Sequence, residues 1–246
     1  MTTKDVIGYI KQANKSYGHH QVLKNVSLTV NSGEIIGLIG PSGAGKTTLI
    51  KCLMGMEQLD NGTVMILNRP MPNREILSQI GYMGQSDALY EELSARENLV
   101  FYGNLMSMSH TALNKSLIKN MELVNLGPFT DKKVKTFSGG MKRRLSLAIT
   151  LLAQTDLLIL DEPTVGIDPS LRVSIWKQLR TLADNNQAII VTTHVMDEAE
   201  KCDKVGLIIE GQLFAYGSPL ELKQQFSVST IEEVFLKAEV NANDAF

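Results

Sequence analysis

Nine residues, Gly40-Pro41-Ser42-Gly43-Ala44-Gly45-Lys46-Thr47-Thr48, form a glycine-rich loop between two apolar segments. The preceding residues 34–39 are typical of a buried strand, and the following residues 49–54 are typical of a helix. A strand, a loop of the pattern G-x-x-x-x-G-K-[ST] and a helix together predict a phosphate-binding P-loop. An accidental glycine-rich turn is the alternative, and the flanking strand and helix disfavour it.

The residue types of this loop suit a bound anion. Glycines let the backbone turn successive N–H groups inward, and the helix that follows adds the positive end of its dipole. We expect Lys46 to reach the β- and γ-phosphates of a nucleotide and the Thr47 hydroxyl to ligate Mg²⁺. Gly40 to Thr48 are therefore the predicted nucleotide-binding residues.

Composition limits the possible partners. The chain has 246 residues, of which 43% are hydrophobic, and its net charge is −2, so no nucleic-acid partner is expected. Cys52 and Cys202 fit no metal-ligand spacing, and we predict two buried thiols in helices of a protein from a reducing cytosol. Residues 1–5 lack an apolar signal region, and no apolar run approaches the roughly 18 to 20 residues of a membrane span. A membrane role would therefore need a partner.

The periodicity of the chain predicts an α/β fold. Segments 6–12 and 22–30 alternate as antiparallel strands do, and further strands are predicted at 62–67, 80–83, 157–160, 188–191 and 205–209. Helices are predicted at 94–107, where Ser94 and Glu97 form a capping box, at 111–124, and from Ser138, Asp168 and Ser218 onward. The tail is predicted to hold one short capped helix at 230–233 and then a polar end that frays.

Two acidic residues end an apolar strand. Asp161 and Glu162 follow residues 157–160, and the carboxyl ends of parallel strands face a ligand crevice. Asp161 suits a position near Mg²⁺, and Glu162 suits orienting or deprotonating the attacking water. Solvated acids at a strand end are the alternative, and the P-loop favours the functional interpretation.

Two further stretches are less specific taken alone. His194 follows another apolar strand and could donate to a γ-phosphate, although a structural histidine is the simpler interpretation. Ser138 is a good N-cap, and Gly139 and Gly140 open a helix whose free N–H groups could meet an anion. This second phosphate site lies about 100 residues from the P-loop, and one nucleotide has no evident need of both within one subunit.

Taken together, these motifs and their order along the chain resemble those of the nucleotide-binding subunit of ATP-binding cassette (ABC) transporters. The resemblance covers residues 6–226. Gln85 resembles the glutamine that contacts Mg²⁺ and senses the membrane partner, and Tyr17 resembles the aromatic residue that stacks on adenine. His194 resembles the switch histidine, and Asp168 the loop that crosses the dimer interface. The resemblance implies one ABC ATPase domain over 1–246. It has a RecA-like P-loop NTPase core (about 1–85 and 157–226), with an N-terminal antiparallel β subdomain, an inserted α-helical subdomain (about 86–156) and a tail (227–246).

The same resemblance implies how the two phosphate sites are used. Two subunits of the family pack head to tail, so Ser138, Gly139, Gly140 and Asp168 would contact the nucleotide of the other chain. The implied catalytic residues are Glu162, His194, Lys46 and Gln85. The implied cofactors are ATP and Mg²⁺, with Thr47, Gln85 and Asp161 as the metal-binding residues.

The motif at Ser138 departs from the family pattern Leu-Ser-Gly-Gly-Gln. Phe137 replaces the leucine, and Met141 replaces the glutamine. Because methionine cannot make the hydrogen bonds of a glutamine, the contact to the nucleotide sugar is an open question. The backbone N–H contacts do not depend on this side chain and are still expected. Residues 139–145, together with 88–99 and 231–236, are similar to one branch, the bacterial drug- and antibiotic-resistance exporters and their lipid-exporting relatives.

We therefore expect the ATP-hydrolysing subunit of an exporter at the cytoplasmic face of the cell membrane. Its partners would be a second ATP-binding subunit, with a homodimer as the first expectation, and a separate integral-membrane permease. Leu89 and Tyr90 are candidates for the permease contact, and ordinary packing explains them equally well. An importer subunit, a soluble ABC ATPase without a transport role and an ATP-binding regulator without hydrolysis are the alternatives. The transported substrate is not encoded here.

Overall fold

The computed structural model of the protein describes residues 5–243. The strands are β1 (Val6–Tyr17), β2 (His20–Asn31), β3 (Ile35–Ile39), β4 (Asn61–Ile66), β5 (Arg69–Pro70), β6 (Ile80–Met83), β7 (Leu157–Asp161), β8 (Ala188–Thr192), β9 (Lys204–Ile209) and β10 (Gln212–Gly217). The α-helices are α1 (Lys46–Leu53), α2 (Ala95–Leu105), α3 (His110–Leu123), α4 (Gly139–Thr150), α5 (Pro169–Asp184), α6 (Met196–Ala199), α7 (Pro219–Phe226) and α8 (Ile231–Asn243).

The centre of the molecule is a six-stranded sheet in the order β10-β9-β3-β8-β7-β6. Its strands are parallel except β10, which runs antiparallel to β9 at one edge. Every residue of β3 is buried, and successive residues face opposite sides: Ile35 and Ile39 belong to one core cluster, and Ile36 and Leu38 to the other. Both faces of this sheet are covered, as is usual for parallel sheets.

A second, antiparallel sheet has the order β2-β1-β4-β5. Ile10 of β1 and Val26 of β2 lie in the same core cluster as Leu38, so this sheet packs on one face of the central sheet. The N-terminal antiparallel unit predicted from the alternation of residues 6–30 is therefore present, and it brings β2 against the P-loop.

Three helices, α2 to α4, follow β6 along the chain and precede β7. Ser94 and Glu97 form the predicted capping box of α2, and Ser138 caps α4 by accepting a hydrogen bond from the Met141 N–H. Leu99, Leu117 and Leu145 place these helices in the core cluster of Ile35 and Ile39, on the face opposite the antiparallel sheet.

The structure corrects several sequence predictions. The last helix runs from Ile231 to Asn243 rather than over one turn, because Ile231, Val234 and Ala238 form a fully buried stripe. Strands β5 and β10 and the short helix α6 were not predicted. Cys52 lies in a helix as expected, whereas Cys202 lies beyond the end of α6, and both thiols are buried. The predictions for residues 1–4 and for a frayed end at 244–246 lie outside the described residues.

Candidate nucleotide site

The P-loop connects the buried end of β3 to the start of α1 and needs glycine at specific points. Gly45 has φ of 104°, and a Cβ there would lie 2.7 Å from the Val22 carbonyl oxygen. A Cβ on Gly40 would lie 2.1 Å from the Ile208 carbonyl oxygen. The loop is therefore held between β2 and β9 at distances that only glycine permits.

Lys46, the first residue of α1, is buried and turns its ammonium back onto the loop. Its Nζ donates to the carbonyl oxygens of Gly40 at 2.7 Å and Pro41 at 2.9 Å. Burial lowers the pKa of Lys46, and the nearby carboxylates of Glu162 and Asp161 partly oppose this effect. The cation thus stands inside the loop, where phosphate oxygens would meet it.

Of the three residues predicted to bind metal, Thr47 lies within hydrogen-bond distance of the other two, Asp161 and Gln85. The Thr47 hydroxyl donates to Asp161 Oδ2 at 3.2 Å and accepts from Gln85 Nε2 at 3.1 Å. Asp161 is almost fully buried, and its Oδ1 accepts from the Thr192 hydroxyl. The ends of β6, β7 and β8 and the start of α1 therefore meet at Asp161.

This set of donors fits Mg²⁺. A carboxylate, a hydroxyl and an amide oxygen are hard ligands, and Mg²⁺ commonly takes only one or two protein carboxylates beside water and substrate phosphates. Within residues 5–243, no cluster of three or more His, Cys, Asp and Glu residues is arranged to hold a metal ion.

Glu162 and His194 form the other half of the site. His194 Nδ1 lies 3.5 Å from Glu162 Oε1, and the imidazole is 58% exposed. Glu162 has a left-handed backbone, with φ of 52°, and its N–H donates to the Thr192 hydroxyl at 2.9 Å. A non-glycine residue in this region is uncommon and is concentrated at functional sites. The turn points the Glu162 carboxylate toward the P-loop, where both Glu162 and Lys46 line one cavity.

That cavity has a volume of about 290 Å³. It is lined by Val22, Ser42, Gly43, Gly45, Lys46, Thr47, Thr48, Gln85 and Glu162. Tyr17 lies nearby at the end of β1, where its hydroxyl contacts the Thr48 side chain and its ring is about half exposed. The cavity therefore contains part of the predicted site: Lys46, Thr47, Gln85 and Glu162 line it, whereas Asp161, His194 and Tyr17 are not among its lining residues.

Ser138, Gly139, Gly140 and Asp168 do not line this cavity. Ser138 stands at the start of α4, and Asp168 caps α5 by accepting from the Leu171 N–H at 3.0 Å and the Ser170 hydroxyl at 2.7 Å. These hydrogen bonds lower the pKa of Asp168. Gly140 is close to the loop before α5, because a Cβ there would lie 3.3 Å from the Gly166 carbonyl oxygen. These four residues are thus not among those that line the P-loop cavity.

Sequence reasoning missed two buried charged residues. Arg143, on α4, donates to the backbone carbonyls of Asp161 and Glu162. Glu198, on α6, is fully buried and accepts hydrogen bonds from Thr164 at 2.6 Å and Thr193 at 2.7 Å. The hydrogen-bond partners of both residues are distant in sequence. The available sequence signals were only that Arg143 is a basic residue one turn after Gly140 and that Glu198 is an acid four residues after His194.

Comparisons with known proteins point to one family. The family model described as "ABC transporter" matches residues 23–165. The chain belongs to the ABC transporter family. It is 41% identical over 212 residues to the Nod factor export ATP-binding protein I of Burkholderia lata, an alignment covering 85% of this chain and 70% of that protein. It is 40% identical to the protein of the same name from Rhizobium sp. (strain N33), over 90% of this chain and 74% of that one.

Solved structures of ABC ATPases share the fold. A structure of the ATP-binding subunit of an ABC transporter matches with a TM-score of 0.89 and 25% identity, covering 95% of this chain and 99% of that chain. A dimeric ATP-binding cassette in a post-hydrolysis state, bound to ADP and Pi, matches with a TM-score of 0.78 and 24% identity, covering 86% of this chain and 98% of that chain. The predicted P-loop NTPase fold of an ABC ATPase is confirmed.

As a member of this family, the chain is an ABC transporter ATP-binding subunit that binds and hydrolyses ATP. ABC ATP-binding subunits dimerise and work with membrane permease components. Within residues 5–243, no helix combines the length and apolar character that crossing a membrane requires.

Proposed function

We propose that this chain is the ATPase subunit of an exporter that moves a drug, an antibiotic or a lipid through a separate permease. The observation that carries the export direction is the similarity, at 40 to 41% identity, to proteins named for Nod factor export. An importer subunit is the second candidate, since the hydrolytic site itself contains no information about direction.

In the proposed reaction, the P-loop binds the phosphates of ATP, and residues at the end of β7 contribute to the metal site and position the attacking water. The loop N–H groups and Lys46 hold the phosphates, and Mg²⁺, held through Thr47, Gln85 and Asp161, would neutralise charge on the phosphate oxygens. The Thr192 hydroxyl bonded to Asp161 fixes the orientation of that carboxylate.

Glu162 would orient and deprotonate the water that attacks the γ-phosphate. Its carboxylate lines the same cavity as Lys46, and its left-handed backbone is fixed by the hydrogen bond to Thr192. His194, 3.5 Å from Glu162 Oε1, is half exposed and can donate to the γ-phosphate while contacting this carboxylate. The pair therefore supplies both a base and a donor at the position of the reacting phosphate.

A second copy of this chain would complete the site. The N–H groups at the start of α4 are free to meet an anion, and the absence of side chains at Gly139 and Gly140 leaves them accessible. Ser138, Gly139, Gly140 and Asp168 lie apart from the cavity of their own chain, so we assign them to the ATP of the partner. ATP would then hold the dimer closed, and hydrolysis would release it.

The surface for the permease lies beside β6 and α2. A cavity of about 260 Å³ there is lined by Leu89, Tyr102 and Gly84, among others. Tyr90 and Phe101 are exposed and stack edge-to-face with ring centroids 4.7 Å apart. Because Gly84 directly precedes Gln85, movement of a permease segment in this groove would reach the nucleotide site. This docking would hold the subunit at the cytoplasmic face of the membrane.

Glu162→Gln tests the mechanism. The variant keeps the shape of the side chain but removes the base, so it should bind ATP, accumulate a stable ATP-bound dimer and lose at least about 100-fold of its turnover. Asp197→Asn, an exposed acid on α6, is the matched control and should keep wild-type turnover. Near-normal hydrolysis by Glu162→Gln would overturn the assignment of the base.

The direction of transport is tested separately, in experiments with the permease. A six-span permease encoded beside this chain, copurifying with it and driving ATP-dependent uptake into inside-out vesicles, would support export. A solute-binding protein encoded beside the permease, and transport in the opposite direction, would establish import instead.

A further inference from the structure

Arg143 makes an unusual set of contacts for a buried arginine. It lies one turn into α4, is 9% exposed, and directs all of its resolved hydrogen bonds to backbone carbonyls rather than to carboxylates. Arginine is seldom this buried unless its guanidinium is well paired. Asp87 Oδ1, 3.7 Å from Arg143 Nη1, balances the charge.

The carbonyls belong to two neighbouring strand ends. Nη1 donates to Gly84 at 2.6 Å and Gln85 at 3.2 Å, just after β6. Nη2 donates to Asp161, at the end of β7, and to Glu162 at 2.9 Å. Because β6 and β7 are parallel neighbours, the single planar guanidinium of Arg143 reaches the C-terminal ends of both strands.

Both strand ends carry side chains of the chain's own ATP site. Gln85 and Glu162 line the P-loop cavity. The start of α4, in contrast, carries Ser138 to Gly140, which the proposed function assigns to the ATP of the partner. Arg143 is three residues from Gly140 on a continuous helix, so a displacement of the helix start is transmitted directly to the guanidinium.

We propose that Arg143 is a positioning residue that couples the two ATP sites of the dimer. When the partner's ATP draws in the start of α4, Arg143 sets the backbone of Gln85 and Glu162 at their productive positions in its own site. This inference rests on the proposed dimer. Arg143 touches neither nucleotide, and its effect is on the geometry of Glu162 and Gln85.

Arg143→Lys is the informative substitution. Lysine keeps the charge but, as a point charge without a planar fork, cannot serve both strand ends. A misplacement of catalytic groups by about 1 Å costs on the order of 100-fold in rate. We expect kcat to fall about 10- to 100-fold, ATP affinity to stay within about threefold, and the Hill coefficient for ATP to fall toward 1.

Arg144→Lys is the matched control. Arg144 is the next residue of α4, and it donates to the carbonyls of Val124 at 3.0 Å and Asn125 at 3.4 Å, at the end of α3. Lysine at this position also loses the planar guanidinium, but it has no hydrogen bond to the strand ends that carry Gln85 and Glu162, and it keeps the positive charge that acts on Asp168. We therefore expect kcat and the Hill coefficient to stay within about twofold of wild type.

Mixed dimers separate positioning from general damage. In one dimer, the Arg143→Lys chain keeps Glu162 and pairs with a Glu162→Gln chain. In the other, Arg143→Lys and Glu162→Gln are in the same chain and the partner is wild type. Both contain the same substitutions and one active base. The first should be at least about tenfold slower, because only there does the altered arginine hold the working Glu162.

Equal rates in the two mixed dimers would overturn the coupling proposal, as would wild-type kcat and cooperativity in Arg143→Lys. If Arg143→Lys folds poorly, Arg143→Gln is tested in the same pair of dimers, with the same expected asymmetry. Failure of Glu162→Gln with intact Arg143 to form an ATP-bound dimer would refute the proposed dimer instead, which keeps the two failures distinguishable.

Discussion

Replacement of Glu198 by alanine should strongly destabilise the protein. Glu198 is fully buried on α6, and its two carboxylate oxygens accept from different loops: Oε1 from Thr164 at 2.6 Å and Oε2 from Thr193 at 2.7 Å. Arg172 Nε lies 3.6 Å from Oε1. Thr164 follows Glu162 by two residues, and Thr193 directly precedes His194. Glu198 therefore connects the loops that carry Glu162 and His194, the two side chains proposed to act on the γ-phosphate.

The magnitude follows from these contacts. Alanine leaves two buried hydroxyls without an acceptor, at about 1 to 3 kcal/mol each, and it removes the anion beside Arg172, whose side chain is 30% exposed and stays partly solvated. The two hydroxyls therefore dominate a total cost of about 3 to 5 kcal/mol. For a chain of this size, each kcal/mol shifts Tm by about 2 to 4 °C. We expect Glu198→Ala to lower Tm by about 6 to 20 °C. Glu198→Gln retains one acceptor oxygen and the side-chain volume, so its loss should be roughly half as large.

Thermal unfolding of the full chain, followed by circular dichroism, measures the effect. The control is Asp197→Ala, which alters the exposed acid one residue earlier on the same short helix and should shift Tm by less than about 2 °C. Turnover should fall in Glu198→Gln even at temperatures where it is folded, because Glu162 and His194 lose their fixed separation. A Glu198→Ala protein within 2 °C of wild type would refute the argument that this carboxylate supports the two loops.

Two further predictions concern the P-loop and α1. Gly45→Ala places a Cβ 2.7 Å from the Val22 carbonyl oxygen, on a backbone with φ of 104°. We expect this variant to bind a fluorescent ATP analogue at least tenfold more weakly. Gly127→Ala is the control and should bind it normally, because a Cβ there has no neighbour within 4 Å. Burial raises the pKa of Cys52 to about 11 from 9.0, so the folded state keeps a proton that the unfolded state loses, and the unfolding free energy should fall as pH rises from 9 to 11. Urea titrations across this range should show a smaller fall for Cys52→Ala, and an unchanged slope would contradict the assignment.

Local sequence was sufficient for the elements that form the nucleotide cavity. The P-loop is contiguous, and its strand, turn glycines and helix are all specified within residues 34–54, so no distant contact is needed to predict them. Asp161 and Glu162 could be placed because parallel strands end at one edge. Ser94 and Glu97 were predictable as a capping box for the same reason: both partners lie within four residues.

The missed features depend on contacts between distant segments. Arg143 meets carbonyls 58 and 59 residues earlier in the chain, and Thr164 and Glu198 are 34 residues apart. The helix and strand periodicities of a sequence report local structure and give no information about such long-range pairs. The tail helix was underestimated for a related reason: its sequence has many polar residues, and its length is set by the burial of Ile231, Val234 and Ala238 against the rest of the fold.

The hydrogen bonds around Asp161 explain how one chain can hold half of an active site ready. Asp161 accepts from Thr47 and Thr192, and Thr192 in turn accepts from the Glu162 N–H. The residues proposed to bind metal and the turn that presents Glu162 thus form one connected network within a single chain. In the proposed dimer, the partner chain completes the site. Helix α4 is in contact with this network through Arg143, and its start carries Ser138 to Gly140. An ATPase built in this way would hydrolyse ATP only after both chains had closed on it, because in the proposed coupling the partner's nucleotide acts on the position of Glu162.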